Sequence, residues 1–175
     1  MDYKFALKCW QDKEGSENAK INVYVDGTQV LSEVEVVSES DSTPSMITFD
    51  ATGLPDTTPT AANSTDIRVE LVNNLYVDSD NDRNVWISDL RYLQKHTDGQ
   101  FKVVDADNNT NVTISDFSNF DDFNFFGVPT NVTGDQIPTD WNESSDSFYY
   151  IPVWGGDTGV TITVPLQGYL RDNFA

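Results

Sequence analysis

The sequence predicts an all-β fold: an antiparallel β-sandwich of jelly-roll type, with long loops and a β-rich C-terminal extension. Three observations carry this expectation. Several short segments alternate apolar and polar residues with period two, as in Ala19-Lys20-Ile21-Asn22-Val23-Tyr24-Val25 and Asp66-Ile67-Arg68-Val69-Glu70-Leu71-Val72. Turn-forming clusters such as Asp26-Gly27 and Gly155-Gly156-Asp157 separate them. Aromatic residues make up 12% of the chain, too many for disorder to lead despite a formal net charge of -19.

The elements follow in order. Tyr3 to Trp10 reads as a first strand, and Asp12 to Asn18 as a polar turn containing Gly15. Ala19 to Val25 is the second strand, closed by the hairpin signal Asp26-Gly27. Gln29-Val30-Leu31 and Glu33 to Val37 continue the alternation, and Met46 to Phe49 is another short strand. Thr52 to Thr65, rich in Gly, Pro, Thr, Ala and Asn, is a loop. Asp66 to Val72 puts Ile67, Val69 and Leu71 on one face. Val85 to Leu93 follows an acidic loop and ends in the turn Lys95 to Gly99, after which Phe101 to Val104 is a strand. The stretch to Asp146 is loop-rich, with Phe117, Phe120, Phe123, Phe125 and Phe126 expected to pack as core. Ser147 to Trp154 and Gly159 to Val164 read as a last strand pair turned by Gly155-Gly156-Asp157, leaving a tail from Gln167 to Ala175. A chain of 175 residues accommodates one large domain or two small ones. The expected division is a binding-module-like sandwich over 1–96 and a β-rich extension or second small domain over 97–175.

Charge narrows the partners. At -19 there is no basic patch to displace counterions from nucleic acid or to meet an anionic membrane. No stretch approaches the roughly 20 apolar residues of a membrane span. With one His and one Cys, a zinc site of the usual ligand type is disfavoured, and Cys9 lies in an apolar run where it is expected to pack. Met1 to Phe5 has no long apolar stretch of signal-peptide type, yet richness in Asp, Asn, Ser, Thr and Tyr reads as extracellular. An extracellular or virion protein is the expectation.

The densest chemistry lies in Asp78-Ser79-Asp80-Asn81-Asp82-Arg83-Asn84. Three carboxylates over five residues repel one another by about 4 kcal/mol per close pair at an effective dielectric of ~20, and one arginine cannot neutralise all three. A hard cation removes that cost, and calcium takes six to eight oxygens from such clusters. The expected cofactor is therefore Ca2+, held by Asp78, Asp80, Asp82 and Asn81; a solvated acidic turn is the plainer alternative. The loop has an echo: Asp78 to Leu90 aligns without gaps on Asp105 to Phe117, with eight of thirteen positions identical. Both segments place oxygen side chains at loop positions one, three, five and twelve, the spacing of a calcium loop of EF-hand type. This makes Asp105, Asp107, Asn109 and Asp116 a second candidate site. Position six, where such loops carry Gly, is Arg83 or Thr110. Paired loops of this kind also resemble dockerin repeats, in which a helix follows each loop.

Ile67-Arg68-Val69-Glu70-Leu71-Val72-Asn73-Asn74, a short loop, and then Asp82-Arg83-Asn84-Val85-Trp86-Ile87-Ser88-Asp89-Leu90 resemble the calcium-dependent xylan-binding carbohydrate-binding modules. The upstream Ile21 to Gly27 and Met46 to Phe49 are also similar, so the resemblance covers roughly residues 3 to 95. It implies a β-sandwich with calcium in a surface loop, shared between protein oxygens and vicinal sugar hydroxyls. It further implies Asp82 as first ligand and the Asn81 carbonyl as a second. Asn74 stands where the family has Asp, with Asp78 or Asp80 as replacement, and the downstream acid is shifted by one to Asp89. Trp86 and Tyr76 are the nearest aromatics; each either packs at the sheet or stacks on a sugar face. Arg83 either pairs with a loop carboxylate or supports the turn, the latter being favoured.

No catalytic constellation appears. His96 has no nucleophile motif near it, there is no phosphate-cradling glycine loop, and the acids show no paired placement across a cleft. The expected function is non-catalytic, calcium-dependent binding of a polysaccharide or glycan. The alternative is a calcium-braced structural or adhesion subunit of an extracellular assembly, such as a phage decoration, collar or fibre protein or a filament subunit, with self-assembly through its ends or sheet edges. A dockerin-like protein-binding module is third.

Overall fold

The computed structural model describes residues 2–54, 63–96, 98–105, 110–123, 131–134, 137, 151–155 and 159–166. Thirteen strands run in chain order: β1 (Tyr3–Asp12), β2 (Ala19–Val25), β3 (Thr28–Val36), β4 (Ser45–Ala51), β5 (Asn63–Leu71), β6 (Tyr76–Asp78), β7 (Asn81–Asp82), β8 (Asn84–Lys95), β9 (Phe101–Asp105), β10 (Thr110–Thr113), β11 (Asn131–Thr133), β12 (Ile151–Val153) and β13 (Val160–Leu166). One sheet has the order β10-β9-β8-β1-β4, with β12 also paired to β8. The second has the order β11-β13-β5-β2-β3, and β6 and β7 form a separate two-stranded ribbon. Every described pairing is antiparallel. The all-β sandwich read from period-two alternation is the fold of the chain.

Alternation decides which face each strand buries. On β2, Ala19, Ile21, Val23 and Val25 are buried while Lys20, Asn22 and Tyr24 are partly exposed. They meet Phe5, Leu7 and Cys9 of β1, Ile67, Val69 and Leu71 of β5, Val85 and Ile87 of β8, and Ile162 of β13 in one core between the sheets. Burial pushes the Cys9 thiol up to about 12, so it packs as an inert apolar group. A smaller cluster covers the outer face of the first sheet: Phe120 and Phe123 lie with Ala6 and Leu93, and Phe117 packs beside them. Phe117, Phe120 and Phe123 are thus core, as expected; Phe125 and Phe126 lie outside the described residues.

Two readings of the sequence need correction. Ile151–Val153 and Val160–Leu166 are not a hairpin: β12 pairs with β8 and β13 pairs with β5, in opposite sheets. Period-two patterning fixes which side chains face inward but not which strand is the partner, and a short polar connection serves a crossover as well as a hairpin. The acidic segment 78–84 is not an open loop either, because most of it is the ribbon β6–β7 and its turn.

Candidate functional site

The site begins with an anchor. Beyond β5, the Asn73 side chain acts as a substitute strand partner: its Oδ1 accepts from Lys20 N at 2.7 Å and its Nδ2 donates to Asn18 O at 2.9 Å. Arg83, 4% exposed, reaches back under the ribbon. Its Nη1 donates to Asn73 O at 2.6 Å, while its Nε and Nη2 donate to Glu14 O at 3.2 and 2.5 Å. Its backbone N–H donates to Leu75 O at 2.8 Å. Gly15 sits at φ +76°, a conformation that L side chains rarely adopt, and a Cβ there would crowd Leu75 Cδ2 at 3.1 Å. Arg83 therefore supports the turn by satisfying backbone carbonyls of two separate connections, as favoured from the sequence. A buried guanidinium is costly unless its donors are used, and here three donor atoms are used.

The ribbon projects from this anchor. Tyr76 opposes Asp82 and Asp78 opposes Asn81. Cross-strand partners share a face, which puts the Tyr76 ring, 64% exposed, beside the Asp82 carboxylate. Val77, 61% exposed, lies at the irregular register step between Tyr76 and Asp78. Asp78 Oδ1 accepts from Asp80 N at 3.0 Å and from Asn81 Nδ2 at 2.8 Å. These bonds, the Asp80 N–H first, hold the Asp78 carboxyl below the usual carboxylate range. Asp80 is exposed at the turn. Asp82 Oδ2 accepts from Asn84 Nδ2 at 3.2 Å, and Asn84 Oδ1 is buried with no hydrogen-bond partner among the described residues.

The other sequence candidates disperse. Trp86 lies on β8, stacked on Trp10 with ring centroids 5.5 Å apart and planes 14° apart, and its Nε1 donates to Asp12 Oδ2 at 2.7 Å. One of its faces and its only donor are already committed. Asn74 packs onto Gly155, where a Cβ would overlap its side chain. Asp89 sits on the outer face of the first sheet because β8 bulges at Ser88: Cys9 pairs with Ile87 and Lys8 with Asp89. Its Oδ2 lies 3.4 Å from Arg91 Nε. Burial raises the Asp89 carboxyl pKa, an effect that Arg91 partly offsets.

In the second segment, Asp105 is on β9, Asp107 and Asn109 lie outside the described residues, and Asp116 is exposed, accepting from Ser118 N at 2.9 Å. Asp105 pairs with Thr110, and Thr110–Thr113 runs extended against β9. Its four residues carry the chain roughly 13 Å before Asp116 is reached, whereas an EF-type loop folds position twelve back onto its ion. Strand β8 also runs through the place where the first dockerin repeat carries a helix, and among the described residues Asp116 is followed only by the three-residue 3-10 turn Phe120–Asp122.

Among the described residues, no three Asp, Glu, His or Cys side chains gather into one group that could hold a metal ion. The hard oxygens available on this stretch are the Asp82 carboxylate, which accepts from Asn84 Nδ2, and the Asp78 carboxylate, which pairs with Asn81 at the next position of the ribbon. This donor chemistry suits calcium, which accepts carboxylate, amide and water oxygens together. Trp154, 38% exposed next to Gly155, is an aromatic that the sequence reading did not single out. The signal available was a glycine beside a tryptophan at a strand end, and its meaning depends on Asn74, far away in sequence. No known protein family, curated protein or solved structure matches the chain.

Proposed function

We propose that the protein is a non-catalytic carbohydrate-binding module whose contact element is the ribbon β6–β7. The observation that carries this reading is the cross-strand pair Tyr76–Asp82, an exposed ring and a carboxylate on one face of a projecting hairpin. A sugar binds through both of its characters: its C–H face packs on an aromatic ring, and its hydroxyls meet a few placed polar groups. Calcium, if held at the Asp82 carboxylate, would supply a Lewis-acidic centre on which adjacent hydroxyls could replace water. Arg83 holds the base of the ribbon to the sandwich, so the ring and carboxylate are presented on a fixed support.

Affinity electrophoresis through gels containing neutral polysaccharides tests the reading. Retention is expected with calcium, lost with chelator, restored by added calcium, and reduced at least tenfold by Asp82→Ala. Retention unchanged by chelator and by Asp82→Ala would sink the calcium mechanism.

One observation favours a second reading. Leu75, Tyr76 and Val77 are exposed in succession. A glycan needs only one ring, whereas a run of exposed apolar side chains suits insertion into a neighbouring subunit of an assembly, with the acidic turn as a brace. Light scattering with calcium present separates the two: a monomer at high concentration supports glycan binding alone.

A further inference from the structure

We infer that Trp154 is a second stacking platform of the same site, and that the ligand is therefore a neutral glycan chain of at least two sugar residues. This inference rests on the reading of the ribbon as a carbohydrate contact. Among the described residues, Tyr76 and Trp154 are the aromatic side chains that stand exposed. The fold brings both to one end of the sandwich. Asn74 packs directly onto Gly155; Trp154 precedes Gly155, and Tyr76 lies two residues beyond Asn74. Two residues of chain span at most about 7 Å, so neither ring is far from that contact.

Val153 is fully buried in the core and pairs with Val85, whereas Pro152 pairs with Trp86 on the outer face. Trp154 stands immediately past the end of β12, where its indole is 38% exposed. It and Tyr76 are thus two exposed rings within two residues of the Asn74–Gly155 contact.

Charge selects the occupant. Tyr76 stands opposite Asp82 and two residues before Asp78, in a chain of net charge -19, so an anionic polysaccharide is repelled and a neutral one is not. A single sugar covers one ring. Two rings on separate segments reward a chain long enough to reach both, through the effective concentration of the second contact.

Affinity electrophoresis in neutral xylan and in neutral mixed-linkage glucan, with alginate as the anionic control, tests the inference on the full chain. Trp154→Ala is expected to weaken retention at least fivefold, Trp154→Phe to restore much of it, and alginate to retain nothing. Titration with a monosaccharide is expected to give the same weak response for wild type and Trp154→Ala. Thermal unfolding of Trp154→Ala within a few degrees of wild type keeps a folding defect out of the comparison. Calcium-dependent retention that Trp154→Ala leaves unchanged overturns the inference while the ribbon reading stands. Failure of the wild type to be retained by either neutral gel overturns both.

Discussion

Two segments of this chain are built on one template, and the fold uses them differently. Asp78 to Leu90 and Asp105 to Phe117 agree at eight of thirteen positions. Each contains a hairpin, and each ends by burying its last apolar residue, Leu90 in the main core and Phe117 against the outer cluster. Their second arms have opposite fates. After the first hairpin the chain becomes β8, a central strand with β1 along one edge and β12 and β9 along the other. After the second it becomes β10, four residues long, at the end of the sheet order and paired with β9. The shared residues specify a hairpin with alternating faces. The residues that differ decide how firmly it is tied down: Arg83 against Thr110 at position six, Trp86 against Thr113 at position nine.

The largest expected effect tests the anchor at position six. Arg83→Met removes the donors to Asn73 O and Glu14 O and leaves two carbonyls without partners, at about 1–3 kcal/mol each. A loss near 4 kcal/mol in a denaturant titration is expected. Arg83→Lys keeps the charge but not the fork that spans two acceptors, so about half of that loss is expected to remain. A loss below about 1 kcal/mol for Arg83→Met would mean that the ribbon is not held as the geometry indicates.

Position nine gives the next contrast. Trp86→Ala removes the stack on Trp10 and the bond to Asp12, and is expected to cost about 2–3 kcal/mol. Thr113→Ala removes one exposed bond to Gln100 Oε1 at 3.2 Å and is expected to cost no more than about 0.5 kcal/mol. Equal costs would break the claim that the two hairpins differ in anchoring. If Trp86→Phe restores most of the stability and leaves glycan retention at the wild-type level, Trp86 is packing and Tyr76 is the ring that meets the ligand.

Much of this was legible before the fold was known, and the remainder was hidden for physical reasons. The faces of β2 and β5 follow from alternation alone, and Asp26-Gly27 marks the β2–β3 turn. Asp78, Asp80 and Asp82 stand out as charges. Partners do not stand out. That β12 joins β8 while β13 joins β5 depends on long-range packing that no window of sequence contains. That Arg83 supports the turn was the favoured reading, but the carbonyls that its guanidinium reaches, those of Glu14 and Asn73, could not be named from the sequence. The register that puts Tyr76 opposite Asp82 needs the ribbon turn to be known, and Trp154 gains meaning only when Gly155 meets Asn74.

The smallest expected effect concerns position twelve, where both segments carry Asp. Asp89 lies under the Phe120 layer between Lys8 and Arg91, and burial raises its pKa above the ordinary carboxylate value of 3.8. Asp116 is exposed, and the Ser118 side chain and backbone lower its pKa below 3.8. The two must act on stability with opposite signs. For Asp89 the folded state binds more protons than the unfolded state in the range just above pH 3.8, so its contribution falls as pH rises through that range. For Asp116 the folded state binds fewer protons just below pH 3.8, so its contribution is present above that value and is lost as pH falls. Denaturant titrations of wild type, Asp89→Asn and Asp116→Asn between pH 3 and 7 read the difference. Relative to Asp89→Asn, wild type is expected to gain stability as the pH drops from neutral toward 4; relative to Asp116→Asn it is expected to lose stability below 4. A common sign for the two would mean that Asp89 is more hydrated than its place beneath Phe120 implies, and would weaken the contrast between a template copy built into the sandwich and one left at its edge.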